Sequence, residues 1–319
     1  MPFWKNVIPT SAVFRAGPDS SSIHRPMTTL QIWLLAIRPR TLSISAVPVM
    51  VGTALAWAEH QLFAWVTLLV TLGGSVLIQI GTNLHNDAAD FERGADTPQR
   101  LGPRRVSAEG WLQPAQVRRA AHFSFAGAFL LGLYLVWLGG WPILVLGLLS
   151  LASAYAYTGG PRPVAYTPLG ELFVFLFFGL AAVTGSFYLQ TQQWSWNALL
   201  SGAAVGLPAA AVLLINNYRD LDTDRYAGKH TLAVVLGRPA IRNLYAALLL
   251  LAPFTTLPLL GQGLGGVMLV LPWLSLVPAV FLIRRLWHNS IDKRLNHLLA
   301  QTAQWQLLFG TLLCMALTL

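Results

Sequence analysis

An acidic stretch in the first third of the chain has the composition and spacing of a metal-binding site. It reads Asn83-Leu-His-Asn-Asp87-Ala-Ala-Asp90-Phe-Glu-Arg-Gly-Ala-Asp96 and follows directly on a long apolar run. Each residue of an α-helix turns by about 100°, so on a helix Asn83, Asp87 and Asp90 lie within about 60° of one another. His85 points away from that face, and we predict that it packs rather than binds a ligand.

A second acidic stretch repeats the pattern later in the chain. It reads Asn216-Asn-Tyr-Arg-Asp220-Leu-Asp-Thr-Asp224 and also follows an apolar run. Asn216, Asp220 and Asp224 lie four residues apart, so a helix would place them on one face. Asp222 would point away from that face. Carboxylates this close together repel one another unless a cation lies among them.

The ligand types of the two stretches indicate which cation would bind. Side-chain oxygens without cysteine favour Mg²⁺, which proteins usually hold with one or two carboxylates plus substrate phosphates. We therefore predict catalytic roles for the four aspartates Asp87, Asp90, Asp220 and Asp224. The predicted metal-binding set is Asn83, Asp87, Asp90, Asp96, Asn216, Asp220 and Asp224. The alternative is that each stretch is only a solvated helix end.

The composition requires a membrane to explain it. Of 319 residues, 55% are hydrophobic and only 10% are charged, whereas soluble domains carry about 25% charged residues. The net charge of +9 comes from basic residues that lie between apolar segments. Membrane topology and anionic headgroups explain such residues better than a nucleic-acid partner does. The single cysteine, Cys314, excludes a disulfide within the chain.

The apolar segments predict an all-α integral membrane protein with about nine spans. Each segment is close to the length of about 20 residues that crosses the hydrocarbon core. They are 41–58, 62–85, 119–138, 140–158, 169–189, 197–217, 240–259, 265–283 and 302–319. We predict that residues 30–319 form one transmembrane domain. Residues 1–29 have no continuous apolar stretch and are predicted to be a disordered leader; a transit peptide and a start at Met27 are the alternatives.

The basic residues predict the orientation of these spans. If the N-terminus is cytoplasmic, all 21 lysines and arginines fall in cytoplasmic segments or at the helix ends that border them. The opposite connections contain a single charge, Glu59. The positive-inside rule therefore predicts a cytoplasmic N-terminus, a C-terminus on the other side, and both acidic stretches at the cytoplasmic face.

Basic and phenolic side chains near the acidic stretches could bind a polyanion that the metal bridges. Acids would hold the metal while bases hold phosphate oxygens directly. Our predicted phosphate-binding residues are Tyr157, Arg162, Arg225 and Lys229. The alternative is that the bases only set topology and that Tyr157 is an interfacial tyrosine.

Two acidic helix ends in about nine spans resemble the UbiA superfamily of intramembrane prenyltransferases, over about residues 30–319. Within this superfamily, four stretches of the chain resemble the branch that prenylates 1,4-dihydroxy-2-naphthoate in menaquinone synthesis. They are Arg38-Pro-Arg-Thr-Leu42, Asn86–Asp96 with Arg100–Arg104, Gly160–Tyr166 with Gly170-Glu171, and Asn216–Arg225 with Gly228–Leu232 and Leu236–Arg238. Ala88-Ala89 departs from that branch, which often has an aromatic residue there.

The resemblance implies a helical horseshoe around a lipid-open cavity, with Mg²⁺ and diphosphate at its cytoplasmic mouth. It implies that two metal ions bridge the diphosphate of a polyprenyl substrate. It also implies that an aromatic acid attacks the allylic carbon and loses CO₂. The expected location is a bacterial plasma (inner) membrane, with the lipid bilayer as surroundings and with neither nucleic acid nor an obligate protein partner.

The carboxylate of such an acceptor needs a cation at the mouth of the cavity. Arg38 ends a short interfacial segment just before Pro39, and its guanidinium could bind a carboxylate through two parallel hydrogen bonds. The alternative is that Arg38 only anchors the first span at the membrane surface.

Other functions fit parts of the same pattern. Within the superfamily, the acceptor could be 4-hydroxybenzoate, homogentisate or haem. A membrane phosphotransferase would concentrate its acids in one motif instead of two. An ion-coupled transporter would carry charged residues near the middle of the bilayer, where these spans have essentially none.

Overall fold

The computed structural model describes residues 27–96 and 100–319, and every regular element within these ranges is helical. The predicted leader lies almost entirely outside the described residues. The helices, in chain order, are α1 (Thr29–Ile37), α2 (Ser43–His60), α3 (Trp65–Glu92), α4 (Pro114–Thr158), α5 (Gly170–Thr191), α6 (Trp196–Tyr226), α7 (Leu232–Gly261), α8 (Gly266–His288) and α9 (Leu295–Thr318).

Six of these helices, α3 to α8, are long and apolar enough to cross a membrane. A seventh crossing results if α2 is taken together with α1 and the short 3₁₀ turn Pro39–Thr41, which meet α2 at 46°. The predicted all-α membrane protein is therefore confirmed. The number of nine spans and the orientation of the termini stay predictions.

Helix α4 is a hairpin of two helical halves. It contains 45 residues, and its regular geometry breaks at Gly140, where φ is 67° and ψ is −154°. The ring of His85 on α3 contacts both Phe125 and Tyr155, at centroid distances of 6.5 and 4.8 Å. In a straight helix those two residues would be about 45 Å apart. The chain must therefore reverse at Gly140 and return along α3.

Helices α5 and α6 approach closely through glycine. An added Cβ at Gly179 on α5 would lie 2.6 Å from the Gly202 carbonyl oxygen and 2.6 Å from the Gly206 Cα of α6. Small residues spaced by four allow two membrane helices to pack backbone to backbone. This contact fixes α6 against α5, and α6 carries the second acidic stretch.

The buried core lies around α6. The largest cluster of buried apolar side chains joins α6 to α2, α7, α8 and α9. A smaller cluster under the C-terminal end of α3 includes Leu84, Ala88, Val106 and Val117. That smaller cluster attaches the segment between α3 and α4 to the surface of α3.

The second acidic stretch is helical, and so is the first as far as Glu92, because α3 and α6 continue beyond the predicted spans. Asp96 lies after the end of α3. The predicted span 62–85 corresponds to a helix that ends at Glu92, and the span 197–217 to one that ends at Tyr226. Each acidic stretch therefore forms the last turns of a long helix, in a fixed angular relation to the apolar residues before it.

Candidate active site

One cavity of about 670 Å³ connects both acidic stretches with an apolar interior. Its apolar wall reaches Leu135, Ile143 and Leu189, which pack together beside the Gly140 turn. Its polar end is formed by Arg38, Asn83, Asn86, Asp90, Arg100, Arg105, Asn216, Asn217, Asp220, Asp224 and Lys229. The cavity can therefore hold an amphipathic molecule with an anionic head and a long hydrocarbon tail.

Asp90, in the last turn of α3, is the most densely contacted acid of the polar end. Its Oδ2 lies 3.0 Å from Nη2 of Arg105 and 3.3 Å from Nζ of Lys229. The hydroxyl of Tyr166 donates to Oδ1 over 3.2 Å. Burial and the adjacent Asp90 carboxylate raise the pKa of Tyr166 above its ordinary value, so this phenol stays protonated and continues to donate.

Lys229 joins the two acidic stretches. Its ammonium lies 3.3 Å from Asp90 of α3 and 3.8 Å from Asp224 of α6. The backbone turn after α6 holds it there, because the amide of Lys229 donates to the carbonyl of Asp224 over 2.8 Å. A single cation thus lies between carboxylates that are far apart in the sequence.

Asp220 is held by Arg219, the residue before it. Nε and Nη2 of Arg219 donate to the two carboxylate oxygens over 2.8 and 2.6 Å, which is bidentate pairing. Arg219 also donates to the side-chain oxygens of Asn216 and Asn296, over 2.9 and 2.8 Å. Two of the four residues in this network, Asn216 and Asp220, belong to the predicted metal face.

The segment between α3 and α4 adds two arginines to the polar end. Arg100 pairs with Asp96 and lies 3.9 Å from Asp220. Burial alone would lower the pKa of Arg100, but the carboxylates of Asp220, Asp96 and Asp90 raise it above its ordinary value. Arg105 lies 3.5 Å from Asp96 as well as beside Asp90. Both guanidiniums are therefore fixed positive charges at the mouth.

The structure brings together most of the predicted site residues. Those that line the cavity are Arg38, Asn83, Asp90, Tyr157, Asn216, Asp220, Asp224 and Lys229. Asp96 lies behind this lining, where its buried side chain pairs with the two arginines. Asp222 points away as predicted, with its side chain 68% exposed and paired with Arg238.

Besides Asp96, three predicted residues do not line the cavity. The carboxylate of Asp87 turns to the backbone amides of Val106 and Ser107, which donate to it over 3.1 and 3.0 Å. Arg162 and Arg225 are exposed and lie outside the lining. Because Arg162 lies in the loop after α4 and Arg225 on the outer face of α6, neither contacts the polar end.

Sequence reasoning missed several residues that line the polar end. Asn86 lies one helical turn before Asp90, a spacing that could have identified it. Arg100 and Arg105 were visible as a basic run directly after the first acidic stretch. Asn217 belongs to the second acidic stretch, where its spacing from Asp220 and Asp224 could have identified it. Asn296 carried no comparable signal, since it reaches the cavity through the packing of α9 against the segment after α3.

Arg38 has a position suited to binding an anion. It ends α1 in the left-handed conformation, with φ of 58° and ψ of 65°, and its side chain lines the cavity. Its guanidinium forms no ion pair or hydrogen bond with residues 27–96 or 100–319. The other charged side chains at the mouth, by contrast, are largely paired with one another.

The oxygen ligands of the polar end fit Mg²⁺ only together with a phosphate ligand. Within the two described ranges, no three His, Cys, Asp or Glu side chains are close enough to hold a metal by themselves. Asn86, Asp90, Asp220 and Asp224 nevertheless present oxygens to one cavity. Mg²⁺ commonly takes one or two carboxylates and completes its shell with water and substrate phosphates. The available ligands match that pattern.

Comparisons with known proteins agree with this architecture. The profile of the UbiA prenyltransferase family matches residues 45–317. A 1,4-dihydroxy-2-naphthoate octaprenyltransferase of Bacillus subtilis (strain 168) is 33% identical over 288 residues, which cover 90% of this chain and 91% of that protein. The protein of the same name from Escherichia coli (strain K12) is 37% identical over 273 residues, with 82% and 86% coverage.

A solved structure shows a similar fold at low sequence identity. It is a UbiA homolog from Archaeoglobus fulgidus bound to GPP and Mg²⁺, with a TM-score of 0.67 and 13% identity. The match covers 90% of this chain and 100% of that one. The overall fold of this chain is therefore shared with that protein.

Proposed function

The chain belongs to the UbiA prenyltransferase family, and we propose that it transfers a polyprenyl group from an allylic diphosphate to 1,4-dihydroxy-2-naphthoate. The allylic C–O bond breaks, a C–C bond forms at the ring carbon that bears the carboxylate, and diphosphate and CO₂ leave. The product is a demethylmenaquinol. The observation that carries this proposal is a single cavity with a charged mouth and an apolar interior, in a chain whose relatives are named for this reaction.

The polar end would bind the diphosphate. Lys229, Arg100 and Arg105 supply positive charge for the phosphate oxygens. Asp90, Asp220 and Asp224, with Asn86, would hold Mg²⁺, in two sites that the diphosphate bridges. When bound, Mg²⁺ neutralises the diphosphate and makes it a better leaving group. The buried ion pairs keep these groups in place before substrate binds, so little reorganisation is needed.

The apolar wall would hold the prenyl chain and the allylic cation. Phe173, Phe177 and Phe178 of α5 line the cavity, and so does Tyr157 of α4. Aromatic faces stabilise a nearby cation without offering a nucleophile. Apolar packing on the remaining sides excludes water, which would otherwise capture the cation. These residues direct the cation toward the aromatic acceptor.

Arg38 would bind the carboxylate of the acceptor. A guanidinium that lines the cavity and has no carboxylate partner among the described residues can form two parallel hydrogen bonds with an incoming carboxylate. At the end of α1, Arg38 lines the same polar end as Arg100, Arg105 and Asp90. The acceptor carboxylate would therefore bind beside the diphosphate, at the mouth of the cavity.

The protein would lie in the bacterial plasma membrane with its active site facing the cytoplasm. The two halves of α4 would give two crossings, and α2, α3 and α5 to α9 would give seven more, which makes the nine that we propose. The distribution of lysine and arginine supports a cytoplasmic N-terminus. An odd number of crossings then leaves the C-terminus on the outer side.

A competition assay tests the proposed function. Membranes that contain the protein receive one polyprenyl diphosphate and equal concentrations of 1,4-dihydroxy-2-naphthoate, 4-hydroxybenzoate and homogentisate, and the products are identified by mass spectrometry. We expect one main product with the mass of a decarboxylated prenyl naphthoquinol. Prenylated benzoate or homogentisate as the main product, or no prenyl transfer with any acceptor, would contradict the proposal.

A further inference from the structure

We infer that Asp87 is a positioning residue, which holds the segment 100–113 over the mouth of the cavity, and that it is not a ligand of the metal. This segment, called the cap below, connects α3 to α4. The inference deepens the proposed function, because the arginines of the cap matter for catalysis only if the diphosphate binds beneath them.

Both carboxylate oxygens of Asp87 accept hydrogen bonds from the backbone of the cap. Oδ2 accepts from the amide of Val106 over 3.1 Å, and Oδ1 accepts from the amide of Ser107 over 3.0 Å. The carboxylate is 2% exposed and Val106 is 0% exposed, so water does not compete for these bonds. Hydrogen bonds to an ionised group are stronger than neutral ones, and a buried amide without a partner is costly.

The cap places two arginines at the mouth of the cavity. Arg105 directly precedes Val106, and its guanidinium lies 3.0 Å from Asp90. Because the backbone at 106 and 107 is fixed by Asp87, the starting point of the Arg105 side chain is fixed as well. Val106 also packs with Leu84 and Ala88 of α3, so hydrogen bonds and apolar contacts hold the same point.

A second anchor holds the other end of the cap. The side-chain amide of Asn296 on α9 donates to the carbonyl of Leu101 over 2.9 Å, and its oxygen accepts from Arg219. Leu101 follows Arg100, which lies 3.9 Å from Asp220. Each of the two arginines that the cap places at the mouth, Arg100 and Arg105, is thus adjacent to an anchored backbone position.

The helical phase explains why neighbouring acids have different roles. Along α3, Asn86 lies about 40° to one side of Asp90 and Asp87 lies about 60° to the other side. Asn86 and Asp90 both line the cavity, whereas Asp87 does not. The first acidic stretch therefore presents one carboxylate to the substrate and another to the cap.

Hydrogen–deuterium exchange of the substrate-free protein tests the anchor directly. The variant Asp87→Asn keeps one acceptor oxygen but turns an NH₂ group toward the second amide. We expect exchange in peptides that cover the cap to become about tenfold faster or more, while peptides from α6 stay as in the wild type. Asp222→Asn, which removes an exposed acid paired with Arg238, is the matched control and should leave the cap unchanged.

Kinetics of the same variants separate anchoring from metal binding. Asp87→Asn should raise KM for the prenyl diphosphate by roughly tenfold and leave the Mg²⁺ concentration for half-maximal rate nearly unchanged. Asp90→Asn should instead raise that Mg²⁺ concentration. A cap that stays protected in Asp87→Asn, together with a raised Mg²⁺ requirement, would overturn the inference and make Asp87 a metal ligand.

A second variant and a measurement without substrate keep the test decisive. If Asp87→Asn does not insert into the membrane, Asn296→Ala removes the other anchor and should increase exchange at the Leu101 end of the cap; a protected cap there would equally contradict the inference. Exchange is measured without substrate, so a wild type that fails to prenylate naphthoate would refute the proposed function and leave the exchange result to decide the role of Asp87.

Discussion

Asp90 has three protein partners, and two of them are cations, Arg105 and Lys229. Removal of its carboxylate would leave two positive charges close together and take away an oxygen ligand at the mouth. Asp220 and Asp224 lie in the same cavity on α6. These three carboxylates are the acids of the site that can both hold a metal ion and contact the groups that bind phosphate.

The first prediction is that alanine at Asp90, Asp220 or Asp224 lowers turnover by about 10²–10³, the usual loss when one electrostatic partner of a transition state is removed. Initial rates of labelled prenyl transfer, normalised to the amount of membrane-inserted protein, measure this. Asp222→Ala is the matched control, since its exposed side chain lies on α6 with Asp220 and Asp224 but outside the cavity.

EDTA should abolish the activity and added Mg²⁺ should restore it. Variants at the three positions that retain more than a tenth of wild-type turnover would contradict the assignment.

The second prediction concerns Arg38. We expect Arg38→Lys to raise KM for the aromatic acid by about tenfold or more, because a lysine cannot reproduce two parallel hydrogen bonds to a carboxylate. KM for the prenyl diphosphate should change little, since the lysine keeps the positive charge of Arg38 at the mouth of the cavity. Steady-state kinetics with each substrate varied in turn gives both values.

Arg119→Lys is the control for this substitution, because Arg119 is exposed at the start of α4 and lies outside the cavity lining. If Arg38→Lys shows wild-type kinetics for the acid, Arg38 is only a membrane anchor. The acceptor carboxylate would then have to bind near residues 100–105 or 160–166.

Residue types predicted the chemistry of the site better than residue geometry did. The two acidic stretches and Lys229 could be recognised from composition and spacing, and they do meet in one cavity. The sequence assigned Asp87 to the metal and did not consider Asn86, because a helical projection shows which residues share a face but not what that face contacts. Both neighbours of Asp90 were compatible with the pattern, and only the packing of α3 against the cap separates them.

At the scale of the elements, the turn within α4 was visible in the sequence and has a clear physical cause. The predicted spans 119–138 and 140–158 meet at Gly139-Gly140, where the structure has its break. Gly140 adopts a φ of 67° with ψ of −154°, a backbone region that is essentially restricted to glycine. This residue allows the two halves of α4 to form a hairpin whose turn closes the apolar end of the cavity.

The third prediction is that Gly140→Ala destabilises the protein by about 1–3 kcal/mol, the usual cost of such a backbone conformation for a residue with a side chain. Thermal unfolding of the protein in detergent, followed by intrinsic tryptophan fluorescence, measures the change. Gly132→Ala in the same helix is the control, because an added Cβ there meets no atom within 4 Å. Equal stability of the two variants would mean that the turn does not depend on glycine.

The cap could not be predicted as an element. Its main contacts use backbone amides at 106 and 107 and the carbonyl of Leu101, and such groups are the same in every residue type. Its second anchor, Asn296, lies almost two hundred residues further along the chain. A pattern read along the sequence has no information about such pairings, so Arg100 and Arg105 could be recognised only as part of a basic run.

At the scale of the whole molecule, charge and connectivity together determine which side of the membrane holds the site. All 21 lysines and arginines lie in segments that nine crossings would place on one side. If α4 crossed the membrane only once, the number of crossings would be even and both termini would lie on the same side. The distribution of basic residues would then be divided between the two faces, against the positive-inside rule.

The fourth prediction is that the C-terminus lies outside and the acidic stretches lie inside. Alkaline phosphatase, which is active only on the outer side of the plasma membrane, should be active when fused after Leu319 and inactive when fused within 159–168 or after Gly228. Green fluorescent protein at the same positions serves as the control, since it should fluoresce only at the two internal positions.

Active phosphatase within 159–168 would place the mouth of the cavity outside, where the positive-inside rule does not allow this number of basic residues. An inactive phosphatase after Leu319 would instead show that the number of crossings is even. The number of crossings is odd only if α4 forms a hairpin. The fusion after Leu319 therefore tests the same chain reversal that the contacts of His85 with Phe125 and Tyr155 indicate.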